Sequence, residues 1–299
     1  MILQTIKQIS CLLCLCCFLQ QSAFSQDDKD KPAYTLFDNT GKQISYGELI
    51  KRLSGYDVIF LGELHNCPIT HWLEFEITRS IYNIHKDQLM LGAEMFESDN
   101  QLIFDEYMQQ KTSYDRFEAE ARLWDNYRTD YYPVVFFAKE HHIPFIATNI
   151  PRRYAKLVKN KGFEALDSLS EEAKRYIAPL PIDFEYDEAQ SAAAFSMMNM
   201  MGGRRAGNNR KLAQAQAIKD ATMGWFIARN IKNKFLHING SYHSNRQGGI
   251  IPYLLRYRPN TSIVTVTSVR QESIRKLDDD HKGLADFYIC VPEDMVNSY

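Results

Sequence analysis

The sequence predicts an α/β fold with a mainly parallel central sheet, flanking helices and an inserted helical subdomain. Two features of the chain indicate this class. Short and nearly continuous apolar runs alternate with longer amphipathic stretches, which is the pattern of strands buried between two layers of helices. The chain has 299 residues, of which 45% are hydrophobic, and this is enough for the core of one such domain.

Six apolar runs are predicted to be strands because branched and aromatic residues fill them and turn residues bound them. In chain order they cover residues 57–62, 89–95, 144–149, 234–239, 262–269 and 287–291. Helical periodicity between the first three strands predicts helices, and Pro133 suits the first turn of the last of them. These helices cover residues 71–85, 100–110 and 133–142.

Residues 152–233 break this alternation and are predicted to form a helical lid inserted between the third and fourth strands. Ser170 has the position of a helix N-cap within this insertion. A helix over residues 188–201 is expected to stop at the glycine pair that follows it. A longer helix over residues 211–231 is expected to lead into the fourth strand.

The first 25 residues have the pattern of a secretory signal peptide. Their apolar run, Ile9 to Leu19, is too short to span a bilayer. Ala23 and Ser25 are small residues just before an expected cleavage at Gln26. We therefore expect an exported protein, periplasmic or associated with the outer membrane, and an uncleaved anchor is the alternative. Residues 26–54 are then a linker and lead-in, and residues 55–299 the α/β domain.

Charge and cysteine content restrict the partners and the chemistry further. The formal net charge is −2, and no basic stripe argues for a nucleic-acid partner. Removal of the leader leaves two cysteines, Cys67 and Cys290. An oxidising compartment allows them to pair, and the alternative is two separate buried thiols.

Polar side chains follow each of the first four predicted strands. Because the carboxyl ends of parallel strands meet at one edge of a sheet, we expect these side chains to converge there. Two of the strands run into a Gly-x-x-His turn, at Gly62–His65 and at Gly240–His243, and a glycine lets the chain turn sharply there. The expected cofactor-binding residues are Glu63, His65, Glu94, Asn149, Arg152, Tyr242 and His243.

Two imidazoles and two carboxylates at one edge are compatible with more than one chemistry. His65, Glu94 and His243 could hold a divalent metal ion with an open position. Glu63 and Glu94 could instead act as catalytic acid and base. Buried together, the two carboxylates would repel each other, which calls for a cation, a shared proton or an arginine partner such as Arg152.

The same segments resemble the ChaN-like family of haem-binding uptake proteins, within the wider Tiki/TraB/erythromycin-esterase superfamily. The combination of these segments is specific, whereas each one alone is not. They are residues 58–66 (VIFLGELHN), 91–97 (LGAEMFE), 124–132 (WDNYRTDYY), 146–152 (IATNIPR), 215–223 (AQAIKDATM) and 237–243 (HINGSYH).

The resemblance implies an exported bacterial protein of iron and haem uptake that binds haem. It also implies a possible homodimer and an outer-membrane haem receptor as a partner. Relatives in the wider superfamily use the positions of Glu63, His65, Glu94 and His243 for metal-dependent hydrolysis. The resemblance therefore leaves open whether the chain is an enzyme, and the alternative function is that of a metal-dependent hydrolase.

A haem site also needs an apolar surface, an axial ligand and cations for the propionates. Tyrosines are candidate ligands, namely Tyr127, Tyr131, Tyr132 and Tyr242. A dense methionine cluster offers thioethers or adaptable packing, at Met197, Met198, Met200 and Met201. His71 lies close enough in the sequence to join the site. Arg204 and Arg205 could meet the propionates.

Overall fold

The computed structural model describes residues 31–186 and 209–299, and the sheet within them has seven strands. The strands lie in the order β1-β7-β6-β2-β5-β3-β4, and each neighbouring pair is parallel except β1 and β7. The predicted fold class is confirmed. The strands are β1 Thr35–Asp38, β2 Val58–Glu63, β3 Leu89–Glu97, β4 Phe145–Asn149, β5 Lys234–Gly240, β6 Ile263–Gln271 and β7 Phe287–Pro292.

Helices of the described residues connect these strands and cover both faces of the sheet. They are α1 Tyr46–Leu53, α2 Pro68–His85, α3 Gln101–Met108, α4 Tyr114–Glu120, α5 Tyr132–Glu140, α6 Arg152–Lys161, α7 Glu171–Lys174, α8 Asn209–Asn230 and α9 Ile250–Tyr257. A π-helical turn, Tyr127–Tyr131, precedes α5. Ser170 caps α7 as predicted, since its side chain accepts a hydrogen bond from the Ala173 N–H.

Part of the predicted lead-in, residues 26–54, is folded onto the domain. Residues Thr35–Asp38 form β1, which pairs antiparallel with β7 at the edge of the sheet. Ser45 caps α1, whose inner face buries Leu49 and Leu53. Four residues of strand are too short for a periodicity signal, and the partner strand lies at the far end of the chain. The sequence pattern therefore did not predict this strand.

The core consists of two layers because successive strand residues point to opposite faces. Ile59 and Leu61 belong to the cluster that packs against α1, α2 and α3. Val58 and Phe60 belong to the cluster on the other face, together with residues of α8 and α9. This alternation decides on which side of the sheet each functional side chain of a strand will lie.

The helical insertion separates β4 from β5, and β5 then returns to the middle of the sheet. It lies between β2 and β3, so the strands β2, β5, β3 and β4 are neighbours. Within the predicted lid, 152–233, the described helices are α6, α7 and α8. The predicted helix 188–201 with its methionine cluster, the arginine pair at 204–205 and the predicted signal peptide lie outside the described residues.

Two further findings concern expectations from the sequence. Cys67 and Cys290 are separate buried thiols, Cys67 directly before α2 and Cys290 in β7. Among residues 31–186 and 209–299, no helix has the length and apolar character that a bilayer crossing requires.

Candidate functional site

Four adjacent strands deliver polar groups to one edge of the sheet. In the register of the sheet, Glu63 of β2 lies beside Gly240 of β5, and Ala93 of β3 lies beside Ile238 of β5. The pairing of β3 with β4 shifts between Ala93 and Glu97, so that β3 is bulged just where it carries Glu94. Bulges of this kind redirect a side chain at the end of a strand.

Glu63 and Glu94 lie at this edge but on opposite faces of the sheet. Glu63 continues the alternation of Ile59 and Leu61 and faces α2. Glu94 is on the other face, where α8 packs, and its partner there is His243. The expected repulsion between these two buried carboxylates is therefore relieved by the separation of the two faces and by histidine partners.

On the α2 face, the Glu63 carboxylate organises the first Gly-x-x-His turn. Its Oε1 accepts hydrogen bonds from His65 Nδ1 at 2.5 Å and from the Tyr131 hydroxyl at 2.7 Å. Burial disfavours the charged ring, but the hydrogen bond to Glu63 and the negative charges of Glu63 and Glu94 together outweigh it and raise the pKa of His65. The carboxylate thus holds the ring with Nδ1 protonated and leaves Nε2 pointing away from Glu63.

Behind His65 lies a second, fully buried group around His71 of α2. His71 Nδ1 donates to Glu74 Oε2 at 3.1 Å and lies 3.5 Å from Glu63 Oε2. His71 Nε2 donates to the His65 carbonyl at 3.1 Å and lies 3.4 Å from Asp130 Oδ2. Burial opposes the charge on this ring, but the surrounding carboxylates, with Glu74 foremost, raise the pKa of His71 to about 10.

On the α8 face, the second Gly-x-x-His turn places His243 between two carboxylates. Its Nδ1 donates to Asp220 Oδ1 at 2.5 Å, and its Nε2 lies 3.3 Å from Glu94 Oε1. Burial disfavours the imidazolium, but Glu94 and Asp220 outweigh it and raise the pKa of His243 to about 10. Glu94 is buried too, yet the charge of His243 holds its pKa well below the ordinary value.

The two glycines of the turns are needed for space rather than for a left-handed backbone. Gly240 has φ −53° and ψ 136°, which other residues also adopt. A Cβ on Gly240 would lie 2.7 Å from His65 Nε2, and a Cβ on Gly62 would lie 3.0 Å from the Ser241 Cα. The two turns form the rim of the site. They approach each other so closely that a side chain on either glycine would force them apart.

His65 joins the two faces over the edge of the sheet. Its Nε2 lies beside Gly240, whose N–H donates to Glu94 Oε2 at 2.9 Å. The side chain of His65 is 31% exposed, whereas Glu63, Glu94 and His243 are buried. Tyr242 is also exposed, with its ring centroid 5.3 Å from that of His243, and burial of the hydroxyl raises its pKa to about 12.

The other two expected cofactor-binding residues have partners of their own. Asn149 Nδ2 donates to the Glu94 carbonyl at 2.8 Å, so Asn149 fixes the bulged end of β3. The Arg152 guanidinium binds Glu97 at the end of β3, and its backbone N–H donates to the same carboxylate at 3.1 Å. Arg152 therefore does not supply the arginine partner that was one of three alternatives for Glu63 and Glu94, since its guanidinium binds Glu97.

Several residues of the site were not singled out by the sequence. Asp220, the partner of His243, lies in the middle of α8, where it is a charged residue among Ile218, Ala221 and Thr222, which are buried too. A carboxylate on the buried side of a helix is the signal that could have revealed it. From the sequence, Tyr131 is a candidate iron ligand, but it is buried and its hydroxyl donates a hydrogen bond to Glu63.

Metal-binding geometry occurs in one place within the described part of the chain. Ligand atoms of Glu63, His71 and Glu74 all lie within 4.8 Å of one another. This group is different from the predicted trio of His65, Glu94 and His243, in which both nitrogens of His243 face carboxylates. The role of that trio in metal binding stays a prediction.

A family model described as haem-binding uptake, Tiki superfamily, ChaN matches residues 49–254, more than two thirds of the chain. The chain belongs to this family. The match covers the strands β2 to β5. It includes the four polar residues that the strand ends and the two turns bring to the edge of the sheet, Glu63, His65, Glu94 and His243.

Among solved structures, one is similar enough to this chain to show the same fold. ChaN of Campylobacter jejuni, whose structure concerns cofacial haem binding, is 20% identical with a TM-score of 0.66. The similarity covers 88% of this chain and 97% of that ChaN. The erythromycin esterase EreC is 9% identical with a TM-score of 0.49, over 89% of this chain and 99% of EreC. No curated protein matches the sequence significantly.

Proposed function

We propose that this protein binds haem at the carboxyl edge of the sheet and serves in bacterial haem and iron uptake. The observation that carries the proposal is the orientation of His65. Glu63 holds its Nδ1–H, so Nε2 is directed away from the carboxylate and lies beside Gly240, and the side chain of His65 is 31% exposed. A ligating histidine is commonly oriented in this way, with its second nitrogen hydrogen-bonded to a carboxylate.

The surroundings of His65 fit the other needs of a haem. The ring centroids of Trp124 and His65 lie 5.1 Å apart. Leu64 and Leu123 are partly buried and, like Trp124, pack against the hydrophobic core on the α2 face. Such side chains offer the apolar surface that a porphyrin requires. A bound haem would supply an iron that can bind a nitrogen ligand, His65 would provide that nitrogen, and Glu63 orients the His65 ring.

Cations for the propionates are available along the same edge. Arg122 and Arg152 both bind Glu97 at the end of β3, and Arg153 binds Asp99 just beyond it. The side chains of Arg152 and Arg153 are about half exposed, so they can also contact an anionic group from solvent. These arginines, with the buried Glu97, form an ordered cationic border beside the rim.

Haemin titration tests the proposal directly. Purified protein at micromolar concentration should give a saturable shift of the Soret band. His65→Gln should change the position of the band and weaken binding, because it removes the nitrogen donor. His142→Asn is the matched control, since His142 is an exposed histidine at the end of α5 and its replacement should leave the titration unchanged.

The outcomes of this titration separate the candidate ligands. If Tyr242→Phe abolishes the shift and His65→Gln does not, Tyr242 is the ligand and the assignment to His65 is wrong. If the wild-type protein gives no saturable shift, haem binding itself is contradicted.

Export and assembly are part of the same proposal. A signal peptide over residues 1–25 would place the mature protein in the periplasm or at the outer membrane, and Gln26 should then be its first residue. A homodimer and an outer-membrane haem receptor are the expected partners. N-terminal sequencing of the protein recovered from the periplasm, and light scattering with and without haemin, test these points.

A metal-dependent hydrolase is the second candidate function. The observation that favours it is the meeting of Glu94 and His243 at the edge of the sheet, where His243 Nε2 lies 3.3 Å from Glu94 Oε1. In this reading Glu63 and Glu94 are the catalytic carboxylates, and a divalent ion would be held by His65, Glu94 and His243. Ester and peptide substrates, assayed with and without added metal, test it against His243→Asn.

A further inference from the structure

The buried group behind the rim has the geometry of a metal site that shares Glu63 with the rim and differs from the predicted trio of His65, Glu94 and His243. It comprises Glu63, His71 and Glu74, each at most 5% exposed. One ligand atom from each side chain lies within 4.8 Å of the other two. Two elements build it, since Glu63 ends β2 while His71 and Glu74 are neighbours one turn apart on α2.

Two carboxylate oxygens of this group have no hydrogen-bond partner within the described residues. Glu63 uses Oε1 for His65 and Tyr131, and its Oε2 is unpartnered 3.5 Å from His71 Nδ1. Glu74 Oε1 is likewise buried and unpartnered. A buried carboxylate oxygen without a donor is costly, so these atoms point to a ligand between them.

The hydroxyl groups next to Glu74 on the helix extend this feature. Thr70 and Thr78 lie one turn before and one turn after Glu74 on α2, and both are buried. Their Oγ1 atoms also have no hydrogen-bond partner within the described residues. The inner face of α2 thus carries several buried oxygens without a hydrogen-bond partner, those of Thr70, Glu74 and Thr78, within the described residues.

The charge of the group also favours a cation. Three buried carboxylates, those of Glu63, Glu74 and Asp130, surround His71. Among the ion pairs within the described residues, their partners are the imidazoles of His65 and His71. Carboxylates buried so close together are unfavourable unless a cation or a shared proton balances them.

The second nitrogen of His71 is held as in a metal-ligating histidine. Nε2 donates to the His65 carbonyl at 3.1 Å and faces Asp130 at 3.4 Å. Asn126 Nδ2 fixes both of these acceptors, at 3.1 Å and 2.7 Å. Such an outer layer of hydrogen bonds presents the remaining nitrogen, here Nδ1, toward the metal.

We propose that Glu63, His71 and Glu74 form a buried site for a divalent transition-metal ion. The ion would take Glu63 Oε2, a Glu74 oxygen and His71 Nδ1, which gives up its proton on binding. One imidazole with two carboxylates suits Zn²⁺, Mn²⁺ or Fe²⁺ better than Ca²⁺ or Mg²⁺, which prefer oxygen ligands. Through Glu63 this ion would fix the carboxylate that orients His65.

Equilibrium dialysis followed by elemental analysis tests the site. Protein stripped with a chelator should take up about one Zn²⁺ per chain, and Glu74→Gln should weaken uptake by roughly tenfold or more. Glu76→Gln is the matched control on α2, where Glu76 pairs with Arg79, and should bind like the wild type. His243→Asn removes a residue of the predicted trio of His65, Glu94 and His243, so it distinguishes that trio from the buried site, which should keep its ion in this variant.

Absence of bound Zn²⁺, Mn²⁺ and Fe²⁺ in the wild type would contradict the proposal, as would loss of the ion in His243→Asn with retention in Glu74→Gln. Because Glu74→Gln could fail to fold, anomalous scattering from a Zn²⁺-loaded wild-type crystal gives a second answer. A peak among Glu63, His71 and Glu74 supports the site, and a peak elsewhere contradicts it. Haemin binding is measured separately, so either property can fail alone.

Discussion

The two histidines of the Gly-x-x-His turns are held in different ways although their sequence motifs are alike. His243 is buried and bound on both sides, by Asp220 and by Glu94. His65 is bound on one side by Glu63 and is partly exposed on the other. His243 is therefore suited to carry a fixed positive charge within the rim, and His65 to meet a ligand from outside.

Gly240→Ala tests how closely the two turns must approach. The added Cβ would lie 2.7 Å from His65 Nε2, so the imidazole must leave its position. A displaced rotamer costs about 0.5–1.5 kcal/mol, which corresponds to roughly a two- to tenfold loss of haemin affinity. Gly47→Ala on α1 is the control, because no atom lies within 4 Å of the added Cβ. Equal affinities for the two variants would contradict the role of Gly240.

Asp220→Asn tests the charge assigned to His243. Asp220 contributes to the raised pKa of His243, and removal of a close opposite charge lowers a histidine pKa by about one to three pH units. NMR titration of the imidazole should show this decrease from about 10 in the wild type. An unchanged pKa in the variant would mean that Glu94 alone holds the proton.

Among the secondary-structure elements, the π-helical turn before α5 has the most specific role. It places Tyr127 and Tyr131, both buried, on the α2 face of the sheet. Tyr131 donates to Glu63. The hydroxyl of Tyr127 has no hydrogen-bond partner within the described residues. π-turns are rare and often mark functional sites, and here the turn supports the carboxylate that orients His65.

Tyr131→Phe and Tyr127→Phe form a matched pair within this turn. Loss of the Tyr131 hydroxyl removes a buried bond to a carboxylate and should lower the free energy of unfolding by about 1.5–3 kcal/mol. Loss of the Tyr127 hydroxyl should not lower it, because that group makes no compensating bond. Urea denaturation of both variants measures the difference. Equal destabilisation would contradict the pairing of Tyr131 with Glu63.

For the whole molecule, the buried His237 of β5 predicts a stability loss in acid. Burial lowers its pKa to about 4, from about 6.5 in the unfolded chain. Below pH 6.5 the unfolded chain binds a proton that the folded protein does not, so stability falls as the pH decreases from 6.5 to 4. The loss attributable to this group is about 3 kcal/mol over that range.

Denaturation of the wild type and of His237→Gln across this pH range checks the expectation. The variant should show a shallower dependence between pH 6.5 and 4, because its side chain does not titrate. His142→Asn, which replaces an exposed histidine, should keep the slope of the wild type. If His237→Gln keeps that slope too, another group causes the acid sensitivity.

The sheet edge illustrates how much of the site the sequence can predict. Glu63, His65, Glu94 and His243 follow buried strands, and parallel strands deliver their carboxyl ends to one edge, so their meeting there was predictable. Their division between two faces depends on strand parity and on the β3 bulge at Glu94. A bulge adds residues to one strand without a distinct sequence signal, so the faces could not be assigned in advance.

The fold class, six of the seven strands within the described residues, the family and the strand-end residues of the rim could be predicted from the amino-acid sequence. These features depend on apolar runs and on the Gly-x-x-His spacing, and both signals lie within short stretches of consecutive residues. The pairing of Asp220 with His243, of Arg152 with Glu97 and of β1 with β7 could be known only from the folded protein. Those contacts join residues far apart in the chain, and their geometry is fixed by packing of whole elements rather than by any local pattern.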